Sequence, residues 1–482
     1  MKLNLSRKVK GITNVSFAHL ITLAVSLGTS FLLPLFLSVE SYGYWQLFSL
    51  YVGYVGFFAL GLNDGVHLNY ASYDYNEETA SKFKTFTKLL ITMNLIEMAI
   101  AITMVVISID SSSDMFWMWV LIALNVLPAN VGGLYVYINQ ATMRFREYSR
   151  GLVIDKLIFF VAMVIMLLVG VKDCLMYILA YTISRYSVLV YHYMTSRLIF
   201  RSKGRKFRDM SAEIKHCFQS GCVLMIAVLL NGSLIAGSRF LVEAKFGIVE
   251  FSGYSFSIHT LVIASQVITS MAAVFYPIMK RCDQNGLRTA YDVFNKSTSI
   301  LSLPLLFSYY FAAFTILLLY RNYIPVLRYY AFIYPLFIFQ CKASVLITNM
   351  YKIMEKPWRM ILNNAFGIML NYAAAYAAYE MFGSITSIAI AVLVAYCIWY
   401  YVCQFAICVQ MRWRFPVSSF CDLALTVIFI LITQMGQVYV ENVYLQLVVS
   451  AAAYLAFVGG FAFVKRTLIR QILKETMEFL RD

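Results

Sequence analysis

Charge is what this sequence has least of. Only 13% of its 482 residues are Asp, Glu, Lys or Arg, against 61% hydrophobic, and mean hydropathy is +0.72. A soluble domain carries roughly twice that share of charge, so this surface could not stay solvated in water. Length alone would suggest about three domains, but the composition overrides that prior. A soluble enzyme, a secreted disulfide scaffold and a disordered chain are all excluded. The nine cysteines form no CxxC, and most, such as Cys174, Cys222, Cys341, Cys397, Cys403 and Cys408, fall in or beside apolar segments. There they act as small apolar residues, and neither disulfides nor a metal site are expected.

Catalytic and nucleotide motifs are missing too. Gly232 and Gly237 have the glycine spacing of a phosphate-binding loop, but the lysine is lacking and the stretch is apolar. Neither H-E-x-x-H nor G-x-S-x-G occurs. No enzymatic role and no cofactor are expected. A cleavable signal peptide is not expected either, because the apolar stretch after the basic Met1–Lys10 is too long for one.

What is there is a succession of long apolar runs. A bilayer core about 30 Å thick needs about 20 apolar helical residues. Fourteen runs qualify: 13–38, 44–66, 87–108, 116–138, 151–170, 174–196, 218–240, 253–276, 297–319, 326–349, 359–381, 384–409, 419–439 and 443–464. They are continuous instead of alternating, which predicts helices and not barrel strands. The fold class is therefore an all-α polytopic membrane protein.

Lysine and arginine set the orientation. With the N-terminus placed inside, 31 of the 39 basic residues fall on the inner side, five on the outer, and three within spans. The net charge of +15 is thus a topology signal, and a nucleic-acid partner is rejected. Both termini are expected in the cytoplasm.

Val39-Glu40-Ser41-Tyr42-Gly43-Tyr44 before the second span returns as Val249-Glu250-Phe251-Ser252-Gly253-Tyr254 before the eighth. The same offset carries Arg146 onto Lys356. An even number of spans separates the copies, so they share one orientation, as in transporters built from parallel repeats. The expected organisation is an N-terminal lobe at 1–210, a C-terminal lobe at 211–415, two additional spans at 416–464 and a cytoplasmic tail at 465–482. In that tail Leu468, Ile469, Ile472, Leu473, Phe479 and Leu480 share one helical face. It reads as an interfacial helix or as one packed on the bundle.

Ionisable residues inside spans are costly and are functional candidates by default. Arg185 lies about 17 Å into its span at 1.5 Å per residue, near the midplane. Lys342 lies within the tenth span, Lys156 enters the fifth, and Arg239 closes the seventh. Snorkelling to the headgroups is the alternative for Lys156 and Arg239. These four are the candidate substrate-binding residues, since arginine in particular offers forked donors to phosphate oxygens. Glu97, Asp64 and Asp155 are the candidate coupling residues or charge partners. Asp64 sits in Gly61-Leu62-Asn63-Asp64-Gly65, where a helix-end role competes. His259, Asn364 and Asn371 add uncharged polarity. The tyrosines, 35 in all, are expected mostly to pack helices or form interfacial belts.

In ordered features the chain resembles the bacterial oligosaccharide and O-antigen flippases. These are the polysaccharide branch of the multidrug/oligosaccharidyl-lipid/polysaccharide exporter (MOP) superfamily. The features are Leu33-Pro34-Leu35-Phe36-Leu37, Tyr42-Gly43-Tyr44, the 61–65 stretch, and Asn139-Gln140-Ala141 with Arg144, Arg146, Tyr148 and Ser149. In the second half they are Ser238-Arg239, Gly253-Tyr254-Ser255-Phe256, and Tyr276-Pro277 before Lys280-Arg281. The resemblance implies two six-helix lobes around a partly cationic cavity, alternating access, and location in the bacterial inner membrane. The implied substrate is an undecaprenyl-diphosphate-linked oligosaccharide repeat unit, flipped from the inner to the outer leaflet for surface polysaccharide synthesis. Polysaccharide polymerase or chain-length machinery are the implied partners beside membrane lipid. Where the family often has an acid, this chain has Ser238. The two extra spans also resemble the lipid II flippase branch. Alternatives are an ion-coupled multidrug/cation antiporter of the same superfamily, a membrane glycosyl polymerase, and a structural export subunit. The polymerase lacks the large outer loop it would need.

Overall fold

The computed structural model describes residues 5–71, 73–261, 279–280, 282–354, 356–439 and 442–481. Backbone in lipid has no water to satisfy its N–H and C=O groups, so apolar runs close their hydrogen bonds internally. The described residues are accordingly helical, with no strand among them. Ten helices are long and apolar enough to cross a membrane, or twelve when two bent pairs each count as one span. The eleventh expected span is a further helix of 26 residues, diluted in hydropathy by Asn363, Asn364, Asn371 and its tyrosines. Most of the eighth, 253–276, lies outside the described residues. The chain gathers into two compact units, Met1–Leu229 and Leu230–Asp482.

The first unit opens with α1 (Leu5–Phe36), α2 (Val39–Val52) and α3 (Leu62–Tyr70). Ser38 caps α2 by accepting from the Ser41 amide at 3.1 Å. The second span is expected as one rod, but it is bent by 60° between α2 and α3. Leu60 (φ 47°) and Gly61 (φ 81°) both adopt left-handed backbone there, which ends one helix and starts the next. Next come α4 (Glu77–Ser108), α5 (Asp114–Leu124) and α6 (Val126–Ala141), then α7 (Phe145–Val169), α8 (Cys174–Thr195), the short α9 (Arg197–Arg201) and α10 (Ser211–Gly232). Asn76 and Thr79 cap α4 reciprocally. The core is Leu62, Val66 and Tyr70 of α3 against Phe83, Phe86 and Leu90 of α4 and Leu134, Tyr135 and Ile138 of α6.

α3 and α10 cross almost backbone to backbone. A Cβ on Gly65 would stand 1.9 Å from the Cys217 carbonyl oxygen, and one on Gly221 1.9 Å from that of Gly61. Only glycine permits this approach. Asn69 fastens it by donating to Ser220 Oγ at 2.9 Å, and Lys82 pairs with Glu213 at 2.7 Å.

In the second unit the expected 218–240 span is corrected. α10 stops at Gly232, and α11 (Ala236–Phe246) begins after a turn. α12 (248–261), α13 (Gln284–Leu319), α14 (Leu327–Ile333), α15 (Leu336–Lys342) and α16 (Asn349–Ile353) follow. A π-helical stretch, Ala343–Thr348, joins the last two, and the tenth span bends by 49°. α17 (Pro357–Phe382), α18 (Ile385–Met411), α19 (Phe420–Tyr439), α20 (Val443–Val464) and α21 (Arg466–Arg481) complete the chain.

The last pair of spans is built into this unit. Tyr310 bonds Thr433 at 3.1 Å, and the Tyr454 hydroxyl donates to the Leu303 carbonyl at 2.9 Å. Tyr309 packs among Tyr310, Tyr330, Tyr334 and Phe429. Buried aromatic edges of this kind explain the tyrosine content: of the twelve largest fully buried side chains, all but Trp399 are tyrosines. The tail helix α21 packs against α13 and α20, with Ile472 buried and Arg466 and Arg470 exposed.

Candidate functional site

Five of the seven ionisable candidates lie in the first unit. Arg185 of α8 donates through Nη1 to Asp155 Oδ2 of α7 at 3.0 Å. Asp155 is next to Lys156 in sequence, but consecutive helical residues point about 100° apart. Asp155 turns into the α7–α8 interface, while Lys156 is half-buried and makes no ion pair among the described residues. An aromatic wall backs the pair. Trp45 of α2 stacks on Phe159 at 5.2 Å, and Tyr181 meets Trp45, Phe48 and Phe159 edge-on. The guanidinium lies 6.0 Å from the Tyr181 ring. The Arg185 side chain remains 28% exposed and that of Asp155 12%. Arg185 Nε and Asp155 Oδ1 are buried without a hydrogen-bond partner, a donor and an acceptor left over in one place.

Asp64 lies in the first turn of α3, at the positive end of that helix, and accepts from the Tyr137 hydroxyl at 3.4 Å. Its neighbour Asn63 donates to the Asn130 carbonyl at 2.9 Å, and Asn130 donates to the Val55 carbonyl at 3.0 Å. The Asn130 amide thereby reaches backbone beside the break, and Asn63 ties α3 to α6. Glu97 accepts from Asn94 at 2.8 Å, not from a cation.

The other two candidates lie in the second unit, apart from one another. Arg239 of α11 donates to Ser255 Oγ at 3.2 Å and lies over the Phe251 ring at 5.5 Å. Ser238 accepts from the Tyr254 hydroxyl at 3.1 Å. Asn371, singled out as polar, donates back to the Gly367 carbonyl of its own helix at 2.9 Å.

Lys342 is entirely enclosed. Its ammonium donates to Asn295 Oδ1 at 2.8 Å, to Ser299 Oγ at 2.7 Å and to the Asp422 carboxylate. Both side chains of the Lys342–Asp422 pair have 0% exposure. The expectation that Lys342 lines an open site meets this enclosure: all three ammonium protons are already used. Asp422 does not stand out in the sequence because it lies at the edge of the 419–439 run, outside the two expected lobes. The available signal was a deep base with no acid yet assigned to it. Among the described residues no group of His, Cys, Asp and Glu could hold a metal ion.

This bundle of long helices, with broken second and tenth spans and charges paired between helices, is similar in fold to solved transporters of the MOP superfamily. The lipid II flippase MurJ, in an inward closed conformation, superposes with TM-score 0.69 at 12% identity, over 94% of this chain and 99% of that one. An inward-facing multidrug resistance MATE transporter gives 0.63 at 12% identity, over 83% of this chain and 98% of that one. A MOP transporter from Pyrococcus furiosus, described by the reverse polarity of its binding pocket, gives 0.59 at 12% over 84% and 96%. At these identities the likeness is one of fold. No protein-family profile and no curated protein sequence matches the chain.

Proposed function

We propose that this chain is a flippase for a lipid-linked oligosaccharide. It would carry an undecaprenyl-diphosphate-linked repeat unit from the inner to the outer leaflet of the bacterial cytoplasmic membrane, for O-antigen or another surface polysaccharide. The lobes 1–210 and 211–415 would alternate access, with both termini cytoplasmic. The carrying observation is extent. Likeness to a flippase of a lipid-linked sugar runs over 94% of the chain, while likeness to the MATE transporter and the Pyrococcus transporter stops at 83–84%. The difference, about a tenth of the chain, matches the length of the 416–464 pair.

Arg185, part-exposed and held by Asp155, is the cation this reading assigns to the diphosphate, with Arg239 and Lys156 assisting. Lys342 belongs to Asp422 instead. Glu97 and Asp64 are local hydrogen-bond acceptors. A polymerase or chain-length partner would take the glycan on the outer face.

One observation favours a second reading, the multidrug or cation antiporter. The two deepest bases are each neutralised by a carboxylate, so the buried charge does not lean positive. The test is complementation of a host lacking its own flippase for a matched repeat unit. Restored surface glycan supports the flippase. Accumulated inner-face lipid-linked units, together with raised resistance to cationic drugs, overturn it in favour of the antiporter.

A further inference from the structure

Where α6 ends, α7 begins and α8 ends, the first unit gathers buried polar atoms without partners. Asn139 Oδ1 and Nδ2, Arg144 Nη1, Ser149 Oγ, both ring nitrogens of His192 and Ser196 Oγ make no hydrogen bond among the described residues. Asn139, His192 and Ser196 have 0% exposure, and Ser149 has 6%. Buried polar groups are ordinarily bonded, so this concentration marks a place where a polar ligand belongs. Arg144 is at its centre. Its amide donates to the Asn139 carbonyl at 2.8 Å, its Nη2 donates to the Thr195 carbonyl at 3.0 Å, and its guanidinium lies over the Tyr75 ring at 4.2 Å. The Tyr75 hydroxyl faces Ser196. Tyr135 of α6 stacks on His192 of α8 at 5.6 Å. Asn139 and Ser196 each stand four residues, one helical turn, beyond that contact on the same faces.

Donors predominate among these groups. A guanidinium edge, an amide nitrogen, two hydroxyls and one imidazole N–H can all donate, against the Asn139 oxygen and the second imidazole nitrogen. A water oxygen accepts few such bonds at once, whereas an anion accepts from every side. The positive end of α7 lies at the same junction, and no side chain caps its first amides. Glu147 lies 3.5 Å from the guanidinium but is 29% exposed, so water screens its charge. Arg146, Arg150 and Arg197 stand exposed on the same helix ends. The one mostly buried guanidinium balances a single negative charge. A divalent oxyanion would leave a second charge buried and uncompensated.

We propose that this junction is a binding site for a small monovalent anion of the halide class, chloride in the cell. The anion takes hydrogen bonds from Arg144 Nη1, Asn139 Nδ2, the Ser149 and Ser196 hydroxyls and the His192 ring. It joins the ends of α6, α7 and α8, and Tyr75 ties in the connection between α3 and α4 through Arg144. Because α7 and α8 also carry Asp155 and Arg185, occupancy steadies the two helices that hold that pair. The site does not rest on the flippase reading, and it is testable without any glycan.

The experiment measures the Tm of purified full-length protein in detergent micelles while sodium chloride replaces sodium gluconate at constant ionic strength. Wild type is expected to gain Tm saturably with chloride, and bromide should act alike. Asn139→Leu/Ser196→Ala, which removes two donors and no charge, should raise the chloride concentration for half the rise at least tenfold. Arg144→Gln should abolish the rise; if that variant does not fold, the double variant decides alone. Arg205→Gln removes an exposed cation elsewhere and should respond as wild type does. A wild-type Tm equal in chloride and gluconate at every concentration overturns the site and leaves ordered water as the partner of these groups. An unchanged response in Asn139→Leu/Ser196→Ala also overturns it, because chloride would then be acting elsewhere.

Discussion

Removing Asp422 should harm this protein far more than removing the whole ion pair. In Asp422→Ala, Lys342 keeps Asn295 and Ser299 as acceptors but loses its counter-charge, at 0% exposure. Breaking a buried pair from one side costs about 3–5 kcal/mol, because the remaining charge is uncompensated, whereas replacing both partners with apolar residues is often neutral or stabilising. Lys342→Met/Asp422→Leu should therefore recover most of the loss, giving a coupling energy of about 3 kcal/mol or more between the two positions. The exposed pair Arg205–Glu78, with side chains 41% and 69% exposed, is the internal control, and its coupling should fall within about 1 kcal/mol. The assay is unfolding of purified protein in mixed micelles with rising SDS, followed by helical circular dichroism, over both double-mutant cycles. Additive effects at Lys342 and Asp422, or a single Asp422→Ala cost below about 1 kcal/mol, would show that the pair is not formed in the folded protein.

Three further outcomes follow from the geometry. Gly221→Ala forces apart backbones whose added Cβ would meet the Gly61 carbonyl at 1.9 Å; it should cost about 1–3 kcal/mol and raise maleimide labelling of the buried Cys217, and unchanged labelling would refute the crossing. Arg185→Ala strands Asp155 and should destabilise by about 1–3 kcal/mol; Arg185→Ala/Asp155→Ala should recover SDS resistance but not glycan export, and export equal to wild type would remove Arg185 from the proposed site. Trp45→Ala deletes the ring stacked on Phe159 at 5.2 Å and should cost about 3–5 kcal/mol, with Trp45→Phe losing much less in the same SDS titration.

The helices were legible because lipid leaves the backbone one economical solution and apolar length announces it. Pairing was not legible, because it depends on which faces meet. Lys342 and Asp422 are 80 residues apart, and Arg185 and Asp155 are 30 apart. Asp155 adjoins Lys156 in sequence, and only the rotation of successive helical residues turns it to Arg185 instead. The breaks divide in the same way. Gly61 stood inside a polar, glycine-flanked stretch that advertised an irregularity, although left-handed backbone at Leu60 did not. The break after Gly232 falls at Asn231-Gly232-Ser233, a short turn-forming run inside a span that length alone reads as continuous, and the π-helix after Lys342 leaves no compositional mark at all.

Counting deep charges by sign is therefore a poor guide to a membrane protein's cargo. By sequence the deepest residues, Arg185 and Lys342, suggest a basic lining; in three dimensions each is cancelled by a carboxylate from another helix. What still separates them is access. The Arg185 side chain keeps 28% exposure, although its unused Nε and the Asp155 Oδ1 beside it are themselves buried. Lys342 has none, so anything that reaches it must first shift α13, α15 or α19. A residue of the first kind can select a substrate by contact. One of the second kind can only report or drive a change of conformation. The same Lys/Arg–Asp chemistry thus stands part-exposed in one unit and fully enclosed in the other, and burial decides what each can meet.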